Sequence, residues 1–138
     1  MSTIFHSGYG YRKRVCEDVT SWFLNRFFPR HKITVEILHR GLNREGVYGY
    51  CSVQDCDWRP RYFLIEIQSN LSQKNYIQTL FHELYHCYQH IKGDLRDIRG
   101  IRCWRGMKWD DDDYDRMPWE IEAYQKEKEL YEKYLNDG

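Results

Sequence analysis

His82-Glu83-Leu84-Tyr85-His86 is the stretch on which the reading of this 138-residue chain turns. Its pattern is H-E-x-x-H. Histidines four residues apart lie about one turn apart on an α-helix, so both imidazoles leave from the same face. Two ring nitrogens so placed can bind one metal ion, with the carboxylate between them positioned as a general base. The pattern demands a helix, and its surroundings supply one. Ile77, Leu80, Phe81, Leu84, Tyr88 and Ile91 recur at helical spacing within a segment predicted from about Ser72 to Lys92 and stopped by Gly93. At about 100° per residue, His82 and His86 fall on the side roughly opposite that stripe. One side of the helix is expected to anchor in the core while the other presents imidazoles.

Working outward, a first helix is predicted from Glu17 to about Phe28, with Trp22, Phe23, Leu24, Phe27 and Phe28 as its apolar side and Pro29 as its stop. Three strand-like runs follow, Lys32 to His39, Val47 to Gln54 and Arg61 to Gln68. The links at Gly41 to Gly46 and Asp55 to Pro60 have turn chemistry, so neighbouring strands are expected to run antiparallel. Gly93 to Met117 reads as irregular. It carries Arg96, Arg99, Arg102, Arg105 and Lys108, then the acid run Asp110 to Asp113. That run lacks the glycine and spaced acids of a calcium loop and reads as a solvated loop or a clamp for the basic stretch before it. Pro118 opens a last helix that reaches about Leu135.

A catalytic zinc needs a third protein ligand and an open position for water. His90 completes a ladder with His82 and His86, but it lies about 12 Å along a straight helix from His82. Zinc–nitrogen bonds are only about 2 Å, so His90 is a poor ligand. The last helix offers Pro118-Trp119-Glu120-Ile121-Glu122-Ala123-Tyr124. Its two glutamates are two residues apart, about 200° around a helix, so both cannot face one metal.

H-E-x-x-H followed by a helix carrying Glu-Ala and an aromatic resembles the gluzincin metallopeptidases. It is closest in plan to their compact versions, such as phage-encoded peptidases and ImmA/IrrE-type domains. The resemblance covers the order of elements from about residue 16 to 137, although only the two short motifs are specific. It implies an α+β, zincin-like fold in one domain: an N-terminal helix, a three-stranded, mostly antiparallel sheet, the H-E-x-x-H helix and a C-terminal helix carrying the third ligand. It implies zinc held by His82, His86 and Glu122, the glutamate that precedes Ala123, with Glu120 as the alternative and Glu83 as general base. Lys126 departs from the pattern, for thermolysin-like members carry an aspartate four residues after the third ligand. Lys126 also offers Glu122 an ordinary helical ion pair. The activity implied is that of a zinc-dependent endopeptidase on a peptide or protein substrate laid along an edge strand, for which Arg61 to Gln68 is the candidate. Tyr85, Tyr114 and His90 are candidate donors to the developing oxyanion. A zinc-stabilised binding module without turnover and a nucleic-acid-associated regulator are the alternatives.

Composition narrows the classes further. With 21 basic and 21 acidic residues the chain carries no net charge, which argues against a dedicated nucleic-acid binder. Trp104 and Trp109 interleave with the basic stretch, but the adjacent acids blunt it. Aromatics supply 17% of the residues, so the core is expected to rest on few, large side chains. The five cysteines form an odd set, and no apolar run suits a signal peptide or a membrane span. A reduced, cytoplasmic monomer is the expectation. Cys51 and Cys56 read as ordinary thiols in preference to a structural zinc pair.

Overall fold

The computed structural model describes residues 1–109 and 117–137. The acid run Asp110 to Asp113 and Tyr114 lie outside the described residues. The fold is α+β. In chain order it runs β1 (Thr3–Gly8), α1 (Lys13–Phe27), β2 (Thr34–Arg40), β3 (Gly49–Val53), β4 (Tyr62–Gln68), α2 (Gln73–Lys92), β5 (Leu95–Ile98), β6 (Ile101–Trp104), β7 (Met107–Lys108) and α3 (Pro118–Asp137). None of the described helices is long and apolar enough to cross a membrane.

The first four strands form one sheet in the order β1-β2-β4-β3. Here the structure corrects the expected antiparallel sheet of three strands. β1 pairs parallel with β2, and β2 pairs parallel with β4; only β3 runs antiparallel, against β4. Alternation of apolar residues reports which face of a strand is buried, not its direction. The loop after β2 has the residues of a hairpin turn, but residues 41–48 are enough to carry the chain past β4 and bring it back as β3. β4 is consequently interior, and β3, not Arg61 to Gln68, is the strand at this edge.

β1 was invisible to the pattern because it lacks a repeating apolar face, with only Ile4 packed against the core. Its end is fixed by close backbone approach. Gly8 sits at φ +106°, and a Cβ there would lie 2.0 Å from the His39 carbonyl oxygen.

The core lies between this sheet and the helices. Val35, Ile37, Phe63, Ile65 and Ile67 point from the sheet toward Cys16, Val19 and Phe23 of α1 and Ile77, Leu80, Phe81 and Leu84 of α2, all buried. Each large side chain so buried contributes about 1.5–3 kcal/mol. α2 begins where the Ser72 hydroxyl accepts from the Asn75 amide at 3.3 Å. It ends at Gly93, left-handed at φ 85°, as the residues predict. α3 covers the other side of α2, with Ala123 fully buried between them, so the small side chain lets the two backbones close. The stretch expected to be irregular instead contains the antiparallel sheet β5-β6-β7. Its turns place Arg99, Gly100, Arg105 and Gly106 at positive φ, a local geometry that composition does not reveal.

Candidate metal centre

The stripe opposite the core on α2 does not face solvent. His82, Glu83 and His86 are 5%, 5% and 6% exposed, sealed by α3. Burying two imidazoles and a carboxylate is costly unless each finds a partner. Here the partner is Glu120, itself buried on the first turn of α3. One carboxylate oxygen, Oε1, lies 2.8 Å from His82 Nε2 and 3.1 Å from His86 Nε2. The three donor atoms lie within 4.8 Å of one another, so His82, His86 and Glu120 could hold a metal ion together.

Glu120, the alternative, and not Glu122 is the glutamate that the structure brings to both histidines. The two glutamates leave α3 on opposite sides, as a helix requires. Glu122 accepts from Arg105 Nη2 at 3.1 Å and from Gln89 Nε2 at 3.2 Å, away from both Nε2 atoms. Lys126, the expected partner of Glu122, instead sits 3.1 Å from Glu129. Choosing the glutamate beside Ala123 follows the family's pattern. What decides the matter is which side of α3 meets α2, and no local motif encodes that.

Both outer ring nitrogens are also held. His82 Nδ1 meets Glu127 Oε1 at 3.1 Å, and His86 Nδ1 meets Gln89 Oε1 at 2.7 Å. Gln89 is fixed in turn by donating to the Trp119 carbonyl at 3.0 Å. Nδ1–H bonds of this kind leave the Nε2 lone pairs directed at a shared point, the arrangement that a metal-binding histidine requires. Glu127 and Gln89 were missed. A signal existed for the first, because Glu120 and Glu127 are seven residues apart and therefore share a face of α3.

The electrostatics match the geometry. Burial alone would push the Glu120 carboxyl up, but hydrogen bonds to His82 and His86 outweigh it and hold the group well below the usual carboxylate range. Burial likewise opposes charge on His82, yet its bonds to Glu120 and Glu127 push its pKa up to about 10. An ion at this point would replace that proton. Glu83 makes no hydrogen bond among the described residues, and burial raises its pKa against the pull of His86 and His82. A carboxyl raised in this way is better suited to taking up a proton than an exposed one.

Glu83 lines two cavities. The larger, of about 500 Å³, runs between β3 and α3 past Tyr48, Gln78, Thr79, His82 and Tyr124. The smaller, of about 130 Å³, reaches His86, Glu120, His90 and Arg102. The edge strand passes close by: a Cβ on Gly49 would lie 3.0 Å from Glu83 Oε2. Of the other candidates, His90 is buried in the wall of the smaller cavity and is no part of the three-residue cluster, as its helical rise required. Tyr85 lines neither cavity, lying instead against Tyr88 with Glu122 beside it. Cys51 and Cys56 do not meet. The Cys51 thiol lies 3.6 Å from that of Cys87, and Cys56 donates to the Trp58 carbonyl at the surface. Comparison of the chain with protein-family models, curated proteins and solved structures found no match.

Proposed function

We propose that this protein is a zinc-dependent peptidase. The observation that carries the reading is the meeting of Glu120 Oε1 with both histidine Nε2 atoms beside a buried carboxylate, Glu83, that has no hydrogen-bond partner among the described residues. Two neutral nitrogen donors and one carboxylate are a donor set that zinc accepts while keeping a coordination position open. A structural zinc site would close that position with a fourth side chain and would need no Glu83. Zinc bound by His82, His86 and Glu120 supplies a Lewis acid that acidifies a water molecule and polarises a carbonyl.

The chain's own residues do the rest. Glu83 takes a proton from the water as its oxygen attacks the peptide carbonyl carbon. The same carboxyl then returns that proton to the departing amine nitrogen as the C–N bond breaks, giving an acid and an amine. The backbone of β3 lies beside Glu83 with its outer edge unpaired among the described residues, so an extended peptide can add to it as a further strand. Burial by α3 keeps bulk water from the proton-transfer path.

Metal analysis together with a peptide-library assay tests the proposal. Glu83→Gln is expected to retain zinc and lose about 10²- to 10⁴-fold in kcat. Glu120→Ala is expected to lose zinc, while Glu122→Ala keeps it. Wild-type protein without stoichiometric zinc, or full cleavage by Glu83→Gln, would overturn the reading.

A further inference from the structure

The smaller of the two cavities that meet Glu83 carries a charge that the hydrolytic chemistry does not use. At about 130 Å³ it is well below the ~300–1,000 Å³ usual for small-molecule pockets, so it suits one small group. Val47, Leu95 and Trp119 supply apolar wall. Most of its polar lining is already engaged. The Tyr50 hydroxyl turns to Glu45 and the Cys51 thiol to Cys87, while Glu83, His86 and Glu120 belong to the metal centre. Arg102 remains, the one cationic side chain among the described residues of this wall.

Arg102 is held from two directions. Its Nε and Nη2 donate to the two carboxylate oxygens of Asp97 at 2.5 and 3.1 Å, and its guanidinium lies 5.4 Å from the centre of the Trp119 ring. Nη1 has no partner among the described residues. The clamp therefore fixes the guanidinium plane and leaves its outer edge, Nη1 with the second hydrogen of Nη2, to donate. A rigid two-donor edge is matched to a carboxylate, and little entropy remains to be lost on binding one. Its field reaches the cavity: His90 is pushed down to about 4 by burial first and by the Arg102 charge second.

We infer that this cavity is the subsite for the substrate residue beside the scissile bond, and that Arg102 makes it selective for a carboxylate. The inference rests on the peptidase reading and names its substrate class: peptides with an acidic group next to the cleaved bond. Arg102 is the cation at the far wall, so a carboxylate gains there a charge-assisted pair that a neutral group does not. Two sources supply such a carboxylate, an aspartate side chain within a chain or the free end of a chain.

Acetylated, amidated hexapeptides of Ala and Gly, with one Asp or Asn moved through each position, test the inference alongside the same peptides with free C-termini. For wild type, one register is expected in which Asp exceeds Asn at least about tenfold in kcat/KM, chiefly through KM. A gain seen only with a free C-terminus assigns the carboxylate to the chain end. Arg102→Gln should bring the ratio to near one while cleaving the Asn peptide within about threefold of wild type. Arg102→Lys, which keeps the charge without the fork, should fall between. Equal rates for Asp and Asn in wild type, with no gain from a free C-terminus, would overturn the inference, as would an Arg102→Gln variant that loses both substrates alike.

Calorimetric binding of the same peptides to zinc-loaded Glu83→Gln, which does not turn over, separates this inference from its parent. Preference for Asp there, without cleavage by wild type, removes the peptidase reading and leaves the carboxylate subsite. Cleavage by wild type without any binding preference removes the subsite alone.

Discussion

Each histidine of the candidate metal centre is held through the nitrogen that faces away from Glu120. For His82 the holder is the Glu127 carboxylate, 13% exposed at its side chain, at 3.1 Å. A half-buried carboxylate on Nδ1–H fixes the ring and makes Nε2 a stronger donor. Glu127→Gln keeps a hydrogen-bond acceptor but removes the charge. It is expected to weaken zinc binding about 10- to 100-fold without unfolding the protein, as measured by competition with a chromogenic chelator. An unchanged affinity would remove Glu127 from the site. At this scale His82, Glu83 and His86 were legible from sequence because their geometry is local to one helix. Glu120 was not, because the choice between it and Glu122 depends on which side of α3 meets α2. Only the 200° separation, which forbids both, could be had beforehand.

β3 owes its place beside the site to a residue with no side chain. A Cβ on Gly49 would stand 3.0 Å from both the Glu66 carbonyl oxygen and Glu83 Oε2, and 3.1 Å from Glu83 Cγ. The Glu66 carbonyl belongs to β4, beside the pairing of Gly49 with Ile67, and cannot give without disturbing the sheet. Glu83 must yield instead. Gly49→Ala is therefore expected to move the base by a few tenths of an ångström and lower kcat about tenfold. Zinc content should stay whole, because the three atoms nearest this position belong to Glu66 and Glu83 and not to His82, His86 or Glu120. Parallel assays of kcat and bound metal check it, and loss of metal would point to a wider collapse. The existence of α1, α2, α3 and the strands β2 to β4 was readable from periodicity, within a few residues at each end. Strand direction was not, since a run such as Phe63, Ile65 and Ile67 reads the same in a parallel or an antiparallel pair. β5 to β7 were missed for a different reason: strands of two to four residues have too few alternations to register.

Across the whole molecule, the price of the site is a set of imidazoles buried within the fold, and acid exposes it. His90 sits at the wall of the smaller cavity, 6% exposed, beneath the Phe63 ring. Burial first, then the charges of Arg102 and His86, push its pKa from 6.5 down to about 4, against the opposing pull of Asp97 and the Leu95 backbone. The unfolded chain therefore binds a proton on His90 at a pH where the folded chain does not. Above about pH 6.5 both states are neutral and the stability contribution is whole. Between about 6.5 and 4 the unfolded state gains protons first, so stability falls with falling pH; below about 4 both are charged and the loss levels off. The full loss is about 3 kcal/mol. Other groups titrate in the same range. His39 is also depressed by burial and adds to the loss, while Glu83 is raised and opposes it. A single unfolding curve cannot isolate His90, but a difference can. Urea unfolding of metal-free wild type and His90→Gln at a series of pH values should show the gap between them shift by about 3 kcal/mol in favour of the variant from pH 6.5 to 4. A gap that stays constant over that interval would mean that His90 is as readily protonated in the fold as in the open chain, and that Arg102 does not impose its charge on the cavity beside Glu83.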